Sequence, residues 1–287
     1  MPAFFDQQHL YSFLMTVARL GAWLLLLTVI FVPLEKLFAL HPRQFFRKAL
    51  AQDMGYYFVN GLVPGLLLAM PMSLVAFVAH AVTPERVHVA IASLPLWQRA
   101  LAGLVVGEIG FYWGHRWAHE IPFLWRFHSI HHSAEQIYFL TSSRAHPVDN
   151  AFNKLCGFIP VYVLGIATPL TPDGGTVAAV LVLIMTTWGF FIHANLRWRL
   201  GPLEWLIATP AFHHWHHTLG DQCDLNYAPM LPAMDWIFGT LHLPRNQWPS
   251  SYGIKTQLPK SLAGQMMYPL HPLPPEESIQ ATTSDTL

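Results

Sequence analysis

Five apolar runs punctuated by short polar stretches set the frame of this chain. A bilayer-spanning helix needs about 20 mostly apolar residues. Residues 11–34 and 56–82 meet that length, with Arg19 placed where it can snorkel and Pro64 and Pro71 marking kinks. A third helix is predicted from Trp97 through Trp113, after an outer loop over 83–95. Residues 151–168 and 176–193 read as an apolar hairpin around Pro169 and Pro172; its first arm, with Lys154 and Pro160, is either spanning or re-entrant. No period-2 alternation interrupts these runs, so the expectation is an all-α, multi-pass membrane protein.

Composition agrees. The 287 residues are 53% hydrophobic and only 11% charged, with mean hydropathy +0.34, too apolar for an ordinary soluble domain. Net charge is zero, so no polybasic face invites nucleic acid. The N-terminus lacks a basic region followed by a small-residue cleavage site, and its first apolar run is expected to be retained as a helix. Between the first two runs Lys36, Arg43, Arg47 and Lys48 outnumber Glu35 and Asp53. The positive-inside rule then places that loop in the cytoplasm and the N-terminus outside. The same count puts the polar segment 120–150 and everything after His193 on the cytoplasmic side.

Histidine supplies the chemistry. Of 17 histidines, eleven lie between His115 and His217. His115 and His119 form HxxxH; His128, His131 and His132 form HxxHH; His213, His216 and His217 repeat HxxHH. Residues three and four apart share a helix face, so each set presents its imidazoles together. A metal with an open position needs three or four protein ligands, so these eight donors imply two metals. Neutral imidazole suits iron, zinc, copper or nickel, and with only Cys156 and Cys223 present there is no CxxC pair to compete. His193 emerges beside the first clusters as a ninth candidate ligand, while His146 and His214 are candidates for ligation or for support. Glu108 shares a face with Tyr112, His115 and His119, and a carboxylate at that depth is expected to orient an imidazole. Asn195, Asp224, Asn226 and Asp235 are candidate hydrogen-bond partners of ligands, although capping or turn roles explain each as well. Gly103, Gly107, Gly110 and Gly114 form a small-residue stripe for close helix packing.

These motifs, with Arg144-x-His146-Pro147, His193-x-Asn195, Asp224-x-Asn226-Tyr227 and Asp235-x-x-Phe238-Gly239-Thr240, resemble the fatty acid hydroxylase and sterol desaturase superfamily of membrane di-iron oxygenases. The likeness covers roughly 108–240, with Glu108 where the family often has Asp and Ala228 where it usually has Gly. It implies a catalytic region over 96–245; the apolar runs before it give N-terminal membrane helices over 1–95, and the composition after it a polar extension over 246–287 with a disordered tail over 272–287. It further implies a helical cap on the cytoplasmic side holding two iron ions, with zinc a possible substitute, and O2 as co-substrate. External electrons would come from a cytochrome b5-like, ferredoxin or similar reductase partner, and the substrate would be a lipid, either hydroxylated or desaturated. A bacterial plasma membrane is favoured over the endoplasmic reticulum. The competing class is a histidine-rich haem electron carrier or metal transporter, but those place histidines along the spans, not in paired HxxHH sets. A zinc hydrolase would need HExxH, which is missing.

Overall fold

The computed structural model describes residues 7–42, 48–167 and 173–271. Among the described residues three helices are long and apolar enough to cross a membrane: α1 (Gln7–Leu37), α2 (Lys48–Val82) and, later in the chain, Gly174–His193. Val29, Leu66, Met70 and Phe77 expose 62–81% of their surface on the first two. Such side chains rest comfortably against lipid, and the protein is an integral membrane protein. Among the described residues there is no strand, only two isolated bridges.

The outer loop expected over 83–95 is instead largely helical. Pro84 caps α3 (Glu85–Ala92), and a bend of 116° leads into α4 (Leu96–Glu120), so this pair is a broken fourth span or a re-entrant element. Val87 and Ile91 recur at helical spacing, and Pro95 forbids straight continuation by pushing Leu94 out of the helical region. After α5 (Pro122–His132) and a 3-10 turn at Phe139–Ser143 comes α6 (Pro147–Val163). Its 17 residues are short of a full span. It lies against α4 through the glycine stripe: a Cβ at Gly110 would sit 2.0 Å from the Cys156 carbonyl oxygen, and one at Gly114 2.7 Å from Cys156 Cβ. Helix α7 (Gly174–His193) follows, then the short α8 (Pro210–His216), α9 (Ala233–Phe238) and α10 (Leu262–Met267). The expected hairpin turn at Pro169 and Pro172, and the charges of Arg43, Arg47 and Lys48, lie outside what is described.

Buried polar ties gather five helix ends on one side. Glu35, near the end of α1, accepts the backbone N–H of Phe139 at 2.8 Å and of Asn195, just past α7, at 2.9 Å. Asp53, in the second turn of α2, accepts from Tyr138 Oη at 2.6 Å and from Arg144 Nε at 2.9 Å. The histidine-bearing ends of α4 and α7 and the start of α6 lie at this same end of the bundle. The extension over 246–271 is ordered: Tyr252 bridges to Thr218, Gln265 accepts from Tyr56 on α2, and His146 Nε2 donates to the Met266 carbonyl at 3.1 Å. The tail expected to be disordered, 272–287, lies outside the described residues.

Because Gly110 meets backbone and not a yielding side chain, Gly110→Ala should force α4 and α6 apart and lower the thermal midpoint in detergent. Gly65→Ala, with nothing within 4 Å of the new Cβ, should leave it unchanged or slightly higher. Equal midpoints for the two variants would contradict the packing described.

Candidate metal centre

Four local structures deliver the histidines. The last turns of α4 carry His115 and His119, and Ile121-Pro122 turns the chain directly into α5, which carries His128, His131 and His132. His193 ends α7. On α8, Thr209 caps the N-terminus through its hydroxyl, Pro210 sets the first turn, and His213, His216 and the C-cap His217 follow. These nine side chains assemble into two groups: His115, His119, His128, His132 and His216 in one, and His131, His193, His213 and His217 in the other. Both HxxHH motifs are split between the groups, while the HxxxH pair lies wholly in the first. The rings of His132 and His217 stack at 4.5 Å, so the groups share a wall.

Hydrogen bonds fix which nitrogen faces inward. The Nδ1 of His115 donates to the Tyr227 carbonyl at 2.7 Å, that of His131 to Arg144 at 2.9 Å, that of His193 to Gly189 at 2.6 Å and that of His216 to Leu225 at 2.8 Å. His119 Nδ1 meets Asp224 at 2.9 Å and His128 Nδ1 meets Asp149 at 3.0 Å. A carbonyl only accepts, so in the first four neutral rings Nδ1 carries the proton and Nε2 the lone pair; the two carboxylates favour the same tautomer. Yet His115 and His128 bring Nε2 to Nε2 at 3.1 Å, and His131 and His193 at 3.2 Å. Lone pairs at that range repel unless a cation lies between them. Nitrogens about 2.0–2.1 Å from one ion sit about 2.9–3.4 Å from each other, which matches. His193, His213 and His217 form a further Nε2 triangle with 3.1 Å sides. His119 Nε2 and His216 Nε2 are buried without a partner. The donor set fits two metal ions.

Burial and the neighbouring imidazoles push His131, His132, His213, His216 and His217 well below the usual histidine pKa. They are therefore neutral near neutral pH, the state in which imidazole ligates.

The remaining candidates sit further out. Asp224 touches a group histidine, as described. Glu108 does not: its Oε1 accepts the backbone N–H groups of Met230 and Leu231 at 2.8 and 2.6 Å. Those N–H groups belong to non-helical chain buried against a membrane helix, which must find an acceptor inside the protein. Asp235 accepts from the N–H of Tyr227 and Ala228, and Asn226, at φ 58°, bonds the Phe212 and His242 carbonyls. Both thus hold the segment whose carbonyls orient His115 and His216. Asn195 ties to His41. His146 caps α6 and binds Met266, and His214 bonds the Ala194 carbonyl and Tyr252 hydroxyl, so neither joins a group. Asp149 escaped the sequence reading because an acid in a helix first turn ordinarily reads as capping; its place three residues after His146 was the available signal.

A chamber of about 190 Å3 opens onto both groups, touching His115 and His128 of the first and His131, His193 and His213 of the second. Residues 100–240, which carry every one of these histidines, match the family model described as fatty acid hydroxylase. This region of the chain belongs to the fatty acid hydroxylase family. Among its relatives there, the ornithine lipid hydroxylase OlsE of Rhizobium tropici is 33% identical over 202 residues, 70% of this chain and 59% of that protein. The alkylglycerol monooxygenase of Danio rerio is 34% identical over 190 residues, 64% of this chain and 40% of its own. Methylsterol monooxygenase 2-2 of Arabidopsis thaliana is 31% identical over 153 residues, 51% and 55%. The chain therefore spans between two fifths and three fifths of these hydroxylase-family proteins. No solved structure matches it significantly.

Neutralising the carboxylate behind His128 without changing the ring tests this geometry. Asp149→Asn should weaken metal binding about 10- to 100-fold, read by competition with a chelator, while the protein stays folded. An unchanged affinity would show that Asp149 does not set the ring.

Proposed function

We propose that the chain is a membrane lipid hydroxylase that uses O2 and two external electrons at a centre of two iron ions. The observation that carries this reading is the pair of histidine groups sharing one wall and one chamber. His115, His119, His128, His132 and His216 would hold one ion, and His131, His193, His213 and His217 the other. Zinc, which takes the same nitrogen donors, would substitute under iron-poor conditions and leave the protein inactive. When bound, the irons supply activation of O2. In the balanced reaction, R–H, O2, two electrons and two protons give R–OH and water.

The chain's own residues do the rest. Nδ1 hydrogen bonds hold the imidazoles in place, the chamber wall positions one carbon, and burial keeps bulk water away. Hydroxylation is favoured over desaturation by the names of the relatives, which are hydroxylases and monooxygenases. Lys36, on the histidine side of the bundle, and the basic residues after it support a cytoplasmic position for the centre, with the N-terminus outside and a bacterial plasma membrane as host. Electrons would then arrive from a ferredoxin, a cytochrome b5-like protein or a related reductase on that face. No GxGxxG or other nucleotide-binding motif occurs in the sequence.

The test is product formation under 18O2, with iron-loaded protein in detergent, a chemical or enzymatic reductant and host lipid extract. Wild type should yield a lipid heavier by one labelled oxygen, and His131→Ala and His216→Ala, one from each group, should each reduce it to background. Full activity in either variant would remove that group from the reaction; no labelled lipid from iron-loaded wild type would overturn the reading.

A further inference from the structure

The chamber beside the histidines has a floor. Its lining descends α4 from His115 to Phe111 and α7 from His193 to Gly189, and a second, tighter cleft continues along the same helices as far as Gly103 and Leu181. From His115 to Gly103 that track measures about 18 Å at the helical rise of about 1.5 Å per residue. Phe111 is common to both cavities. Its ring lies over Gly157 of α6, where an added Cβ would come within 2.3 Å of it, and it meets Phe158 edge-on at 6.2 Å. Below the ring only about 10 Å3 is open, room for no more than one water, and that cleft is apolar apart from Glu108, whose Oε2 is buried without a partner.

Above the ring the chamber carries polar side chains among apolar ones such as Ala145, Ile192 and Pro229. Ser142 is one of the polar set, with Asn150 held by Asn60 at 3.1 Å and Asn153 held by Asp149 through its carbonyl and carboxylate at 3.1 and 3.0 Å. A hydrocarbon tail would leave those groups facing methylenes, whereas the polar end of a lipid satisfies them. At about 190 Å3 the chamber is also smaller than the ~300–1,000 Å3 that a drug-sized ligand occupies, so it takes one end of a lipid and not its length.

We infer that the polar end of the lipid enters the chamber against Ser142, Asn150 and Asn153, and that Phe111 stops it, so that this ring selects which carbon faces the metals. The oxidised carbon then lies within a few bonds of the polar group. This rests on the lipid-hydroxylase reading, and Phe111 is a specificity-determining residue, not a metal ligand.

The experiment maps the hydroxyl in products made from a defined probe, 1-O-hexadecylglycerol, and from host lipid extract, by tandem mass spectrometry. Wild type must first give product: if it gives none from either, the hydroxylase reading fails, separately from this one. Given product, Phe111→Ala should let the polar end sink and shift oxidation one or more carbons away from it. Gly157→Ala, by driving the ring upward, should shift it the other way or raise KM with little change in kcat. If Phe111→Ala does not accumulate, Phe111→Leu, which keeps the apolar packing while shortening the floor, should show the same direction. Wild-type regiochemistry in the folded Phe111 variant and an unchanged KM in Gly157→Ala would overturn the inference, as would wild-type oxidation in mid-chain or at the methyl end.

Discussion

Everything in this protein leads to the opposition of imidazole lone pairs. Four backbone carbonyls and two carboxylates hold the Nδ1 side of six rings, and for neutral His131 and His193, each held by a carbonyl, this turns Nε2 toward Nε2 at 3.2 Å with no proton between them. A buried arrangement of that kind is costly without a cation and favourable with one. The fold resists relaxing it because the acceptors are themselves anchored. Asp235 and Asn226 hold the 225–228 segment, and Asp53 grips the side chain of Arg144, whose carbonyl serves His131. A metal bound there would stabilise the fold, since a ligand that binds the assembled state stabilises it.

The membrane shapes how that anchoring is done. Helix ends that would otherwise be served by water are tied by Glu35 and Asp53 on the histidine side, and irregular backbone packed against α4 is served by Glu108. Buried carboxylates in this chain thus mostly accept from N–H groups of the backbone or from Arg144. The glycines of α4 bring α6 close enough for Asp149, in its first turn, to reach His128.

Much of this was legible in the sequence because the carrier signals are local. HxxxH and HxxHH spacings put imidazoles on one helix face whatever the tertiary structure, and loop charge together with the alternation of apolar runs brought His193 to the same side as the motifs. The groups themselves were not legible, since each draws from helices far apart in the chain, and no local pattern says that His132 joins His119 while His131 joins His193. Glu108 shows the limit of helix-face reasoning. It does share a face with His115, but its nearest unsatisfied donors were backbone N–H groups of Met230 and Leu231, more than a hundred residues away. The loop expected before α4 became α3 because apolar spacing in eight residues is too brief to outweigh flanking prolines in a sequence reading. The docking of the extension through Gln265 was not legible, because its polar, Pro-rich composition gives no apolar face that marks the six-residue helix α10.

On the proposed reading these nine imidazoles bind two ions, one in each group. Anomalous scattering at the iron edge, on crystals of protein loaded with iron, reads this without reference to activity. Two separate peaks are expected, one within reach of His115, His119, His128, His132 and His216, the other within reach of His131, His193, His213 and His217. A single peak shared by all nine, or iron held by His146 or His214 instead, would contradict it.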